Sequence, residues 1–117
     1  MILLTEKAEA SSLILHMSVM RADFRNLLKR KYKMQKGEYL KAYDYIKKEC
    51  ETQIVEDLEY KEQHLNIVDL RVLHEFLNAY LKKLRDTLKE VKQDEDEQIF
   101  YLESVKKRCE ELLADVS

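Results

Sequence analysis

The chain has 117 residues, with 21 Lys or Arg against 23 Asp or Glu, a single Gly, no Pro and two Cys. That length fits one domain, 1–117, with a core that needs no metal or disulfide staple, and the near absence of Gly and Pro excludes a turn-rich β protein. A formal net charge of -2 excludes general attraction to polyanions. No run approaches the ~18 apolar residues of a membrane span, and MILLTEKAEASSLILHM lacks the basic start and unbroken apolar centre of a signal peptide, so a cytoplasmic protein with no membrane partner is expected.

Apolar residues spaced three and four apart predict a first helix over about 5–36: Ala10, Leu13, Met17, Met20, Phe24 and Leu27, with Met34 in phase and Ile14 and Leu28 widening the stripe. Gly37 then reads as the left-handed position that ends a helix, after a basic last turn. Tyr39, Tyr43, Ile46, Cys50, Ile54 and Leu58 predict a second helix over about 38–63. Asn66 is placed to cap a third, 67–92, whose stripe of Leu70, Leu73, Leu77, Tyr80, Leu84 and Val91 is broadened by Phe76, Leu81 and Leu88. The acidic run Asp94 to Glu97 suits the start of a fourth helix, 96–115, carried by Ile99, Leu102, Val105, Cys109 and Leu112. Short connections between long helices force neighbours to run antiparallel. The fold class is therefore all-α, an up-down-up-down four-helix bundle with the fourth helix shortest.

Chemistry finds few footholds. Residues three before His16, His64 and His74 are Leu13, Lys61 and Arg71, so the Glu-x-x-His halves of a di-iron bundle are missing. No phosphate-binding loop can be made with one Gly, and Ser11, Ser12 and Ser104 have no adjacent base. Cys50 and Cys109 read as free buried thiols. No cofactor is implied, and no enzyme is expected. Arg71 and His74, at helical spacing beside Glu75, support only a remote ribonuclease-like alternative.

Charge is sorted along the chain. Residues 21–48 hold ten bases against Asp23, Glu38 and Asp44, a net of +7, whereas residues 49–69 hold seven acids against Lys61 alone, a net of -6. Helix dipoles favour acids at helix starts and bases at helix ends, but the second helix begins with Lys41, Lys47 and Lys48 and ends with Glu56, Asp57, Glu59 and Glu62. Departures from local rules tend to mark functional surface. Phase sends Tyr39 and Tyr43 to the core, hydroxyls outward, and leaves Tyr32 and Tyr45 exposed among the lysines. The expected site is thus a basic corner of Lys29, Arg30, Lys31, Tyr32, Lys33, Lys36, Lys41, Tyr45 and Lys48.

The functional expectation is a small non-catalytic interaction protein, an adaptor, regulator or immunity-type bundle, using this corner on the acidic surface of a protein partner or of a second copy in a homodimer. The alternative is a nucleic-acid-binding module in which the same lysines meet phosphate and Tyr32 or Tyr45 stacks on bases.

Overall fold

The computed structural model describes residues 1–91 and 97–116. The chain runs β1 (Ile2–Glu6), α1 (Lys7–Val19), α2 (Arg21–Lys31), α3 (Lys36–Val55), β2 (Tyr60–His64), α4 (Ile67–Glu90) and α5 (Glu97–Asp115). The helical expectation holds in the main. Among the described residues, however, there are five helices and a two-stranded sheet, and the last helix, at 19 residues, is longer than α1 and α2.

The first departure is at the start. Residues 2–6 form a strand antiparallel to β2, with Ile2 opposite His64 and Glu6 opposite Tyr60. Leu3 and Thr5 point inward and Ile2, Leu4 and Glu6 outward, the period of two that a half-buried strand requires. Residues 60–64 are therefore a strand instead of the last turns of the second helix. That helix stops at Val55, where Asp57 takes a left-handed conformation (φ 56°). The Asp57 N–H donates to the Ile54 carbonyl (3.1 Å) and the Leu58 N–H to the Gln53 carbonyl (3.0 Å), the paired bonds of a Schellman stop.

A buried polar cluster ties the strands to α3. Gln53, fully buried, accepts from the Thr5 hydroxyl (2.7 Å) and donates through its amide to the carbonyls of Thr5 (3.0 Å) and Leu58 (3.2 Å). Gln63 donates to the Thr5 hydroxyl at 3.2 Å, while its own buried Oε1 has no partner among the described residues.

The second departure divides the expected first helix. Met20 ends α1, its N–H on the His16 carbonyl, and begins α2, its carbonyl accepting from Phe24 (2.9 Å each). No Gly or Pro marks the place. The Tyr43 hydroxyl donates to the Met17 carbonyl in the last turn of α1, and a side chain entering the backbone ladder is a recognised cause of a kink. Tyr43 is thus wholly buried, hydroxyl included, and does not reach outward. The overall extents are 38 × 37 × 28 Å, shorter than the ~48 Å an unbroken helix over 5–36 would span.

The third concerns Gly37. It lies inside the first turn of α3 and has no left-handed backbone; α2 ends at Lys31 and the connection is 32–35. Met34, expected on the core stripe, is 93 % exposed in that connection.

α4 follows expectation closely. Asn66 caps it, its side chain accepting from the Asp69 N–H at 2.8 Å while Asp69 returns the favour to the Asn66 N–H at 3.0 Å. Leu70, Leu73, Leu77 and Leu81 are buried along one face, each contributing about 1.5–3 kcal/mol. The Arg85–Glu103 pair (2.9 Å) and the His74–Glu110 approach (3.6 Å) show α5 running antiparallel to α4. On its other side α5 is bound by charge: Arg108 donates to the buried Glu9 carboxylate and to the Leu4 carbonyl, joining α5 to α1 and β1. Cys50 and Cys109 are free and buried, and burial pushes each thiol up to about 12. Among the described residues no helix is long and apolar enough to cross a membrane.

Candidate interaction surface

The expected corner residues sort into three places. Lys29 and Arg30 stand on the last turn of α2 and Lys33 in the following connection; all three are exposed, and none has an ion pair among the described residues. Three other bases of the block are matched. Arg21 holds Asp44 of α3 in a two-bond fork (2.9 and 2.7 Å), Lys31 reaches Glu75 of α4 (2.7 Å), and Lys47 meets Glu51 (3.4 Å). The Arg21 guanidinium holds Asp44 below the usual carboxylate range, and the bond to Glu75 raises Lys31.

Tyr32 departs from expectation. It caps the C-terminal end of α2 at φ −135°, which turns its ring inward, tilted against Tyr39 with centroids 5.2 Å apart and the Lys31 ammonium 5.7 Å from its centre. It is half-buried rather than an exposed aromatic contact, and Tyr39 is likewise half-buried. Both line a small hollow of about 240 Å³ with Arg71, His74 and Glu75. The two residues of the ribonuclease-like alternative therefore do share a hollow, but Glu75 is engaged by Lys31 and the imidazole of His74 faces Glu110 of α5.

Lys41, Tyr45 and Lys48 form one stripe on α3, at the four- and three-residue spacing of a helix face. Tyr45 is 40 % exposed, and its hydroxyl donates to the His64 carbonyl (3.0 Å) at the end of β2. Lys41 and Tyr45 border an open hollow near the start of α4, together with Glu38, Asp69 and His64. Lys36, half-buried, lies between the two groups at the start of α3. The expected corner residues thus stand on the end of α2, in the connection after it and on the face of α3. Of the acidic run Asp94 to Glu97, expected at the start of the fourth helix, only Glu97 falls within the described residues.

A groove of about 590 Å³ between α2 and α4 has no counterpart in the sequence reading. Met20, Phe24 and Leu27 line it from α2, and Phe76, Ala79 and Tyr80 from α4. Its floor is an aromatic stack, Phe24 edge-on to Phe76 at 5.5 Å and Phe76 stacked on Tyr80 at 5.6 Å. Its rim is polar: Lys29 and Arg30 at one end, Asn26 along the side, and the exposed Asp23–Lys83 pair (3.0 Å) across the mouth. Sequence phase places Met20 and Leu27 on the core stripe itself, and the structure leaves both half-buried on the groove wall.

Among the described residues no group of three or more His, Cys, Asp or Glu stands close enough to hold a metal ion. Comparison with protein-family profiles, curated proteins and solved structures finds no match to the chain.

Proposed function

We propose that the chain is a small cytoplasmic interaction protein without catalysis of its own, an adaptor or regulator that holds an acidic surface of a partner protein on the basic end of α2. The observation that carries this reading is the placement of Lys29 and Arg30, neither with an ion pair among the described residues, on the rim of an apolar groove. Massed like charge without partners is locally unfavourable, and a groove with aromatic floor and cationic rim matches the anatomy of an interface, apolar centre and polar edge. The helices serve as its support: with α1 and α2 taken as one bent rod, the rods run up, down, up and down.

The nucleic-acid alternative needs Tyr32 and Tyr45 as free stacking faces, and it is disfavoured by the packing of Tyr32 on Tyr39. Capture of partners from the native cell, with wild type and a Lys29→Glu, Arg30→Glu, Lys33→Glu variant, tests the proposal. A protein retained by wild type and lost by the variant supports it. An identical set of captured proteins refutes it, and capture of RNA or DNA that falls steeply with salt would favour the alternative.

A further inference from the structure

We infer that the occupant of the α2–α4 groove is an amphipathic helix of the partner, apolar on the face turned inward and acidic on the flank beside α2. This rests on the reading of α2 as the partner-binding end and adds the form of what binds.

The two walls carry the argument. Of the lining on the α2 side, Met20 at the helix cap, Asp23, Leu27 and Arg30 step by three and four, with Phe24, Asn26 and Lys29 beside them, and on α4 Phe76, Ala79, Tyr80 and Lys83 stand at i, i+3, i+4 and i+7. That spacing turns one face of each helix to the gap. Ridges at that spacing interlock with the grooves of a third helix. The α2 wall covers most of its 11 residues, about 16 Å, which accommodates roughly three turns of a visiting helix presenting anchors at i, i+3 or i+4, and i+7. Ala79 supplies a small side chain, half-exposed in the α4 wall, where a backbone can approach.

Charge sets the flank. Lys29 and Arg30 project from the rim with no carboxylate of their own among the described residues. Across the mouth, Asp23 and Lys83 satisfy each other through an exposed bond that opens at little cost. A visiting helix with Glu or Asp beside α2 completes the unmatched side, whereas one with Lys or Arg there adds to the repulsion.

The test uses fluorescein-labelled, end-capped peptides of about 14 residues with Leu at i, i+4 and i+7. One carries Glu on its flanks, and the other carries Lys. Binding is read by anisotropy at ~50 mM salt, where exposed charges are weakly screened. Saturable binding of the Glu peptide is expected, at least ~10-fold tighter than of the Lys peptide, with a loss of ~10-fold or more in Lys29→Glu, Arg30→Glu. Ala79→Trp, which fills the groove, should abolish it. If circular dichroism shows that variant misfolded, Ala79→Glu repels the same peptide and replaces it. No binding of the Glu peptide, equal binding of both peptides, or binding indifferent to residue 79 overturns the inference. A parallel titration with poly-L-glutamate, an extended anion at neutral pH, separates the two claims. If its binding depends on Lys29 and Arg30 while the helical peptide ignores residue 79, the groove inference falls and the basic-surface reading stands. If neither anion responds to the charge reversal, both fall.

Discussion

Replacing Gln53 with Leu keeps the approximate volume of a fully buried side chain and deletes its amide. Three hydrogen bonds go with it: the one accepted from the Thr5 hydroxyl and the two donated to the carbonyls of Thr5 and Leu58. Each is worth about 1 kcal/mol net, and the loss is larger where a buried group is stranded. The Thr5 hydroxyl has a fallback acceptor in the Lys61 carbonyl at 3.4 Å, which softens one of the three. The expected cost is therefore about 3 kcal/mol, a drop in Tm of roughly 10 °C for a domain of this size. Urea denaturation should show the midpoint falling with the slope unchanged. Thr5→Val alone strands the Gln53 Oε1 and the Gln63 amide N–H and should also be costly, but in the double variant the shared bond is counted once. The pair should fall short of additivity by about 1 kcal/mol or more. Gln63→Leu removes a single 3.2 Å bond and a carbonyl oxygen that is already orphaned, so it should cost the least of the three. A Gln53→Leu cost below ~1 kcal/mol, or strict additivity with Thr5→Val, would refute the claim that this cluster couples the sheet to α3.

The charge clamp of α5 makes a second case. Arg108→Met should cost about 3 kcal/mol because it leaves Glu9 buried and uncompensated, whereas Glu9→Gln with Arg108→Met should recover much of that in the same urea assay. Asp57 is held left-handed, so Asp57→Ala should lose about 1 kcal/mol while Asp57→Gly loses much less, read by thermal melts. Both thiols are buried and pushed up to about 12, so a colorimetric disulfide reagent at pH ~8 should react with neither in the native protein and with both once urea unfolds it. Arg21 depresses Asp44, so this pair stabilises the fold above the ordinary Asp range and the contribution disappears as pH falls through the depressed value; acid melts below pH ~4 should be shallower in Asp44→Asn, modestly so because both groups are partly exposed.

The elements that the sequence discloses are those whose cause is local. The α4 stripe from Leu70 to Leu81 repeats for several turns, and Asn66 with Asp69 writes its own start signal three residues apart. The elements it conceals depend on distant partners. Tyr60–His64 reads as YKEQH, polar throughout, and becomes a strand only because Ile2–Glu6 lies alongside it. The bend at Met20 depends on the hydroxyl of Tyr43 arriving from α3, and no residue near Met20 announces it. The same division runs through the candidate surface. Exposure of Lys29, Arg30 and Lys33 follows from helix phase, but the inward turn of Tyr32 follows from where α2 stops, one turn earlier than the glycine suggests. The groove was illegible for a further reason: a gap between two helices is a property of their spacing in three dimensions, and phase reports only which way each side chain faces.

The pairing of β1 with β2 has a kinetic meaning. The strands flank a closed segment, 7–59, that contains α1, α2 and α3, with the Lys7 N–H on the Glu59 carbonyl at 2.9 Å sealing its base. Bringing the ends of so long a segment together costs roughly 2 to 3 kcal/mol more entropy than closing a short hairpin. The sheet therefore cannot seed folding; it must wait until the three helices have collapsed and brought its ends within reach. Mutations on the strands should accelerate unfolding and leave the folding rate nearly unchanged, making the sheet a latch that sets how long the native state lasts instead of how fast it is reached.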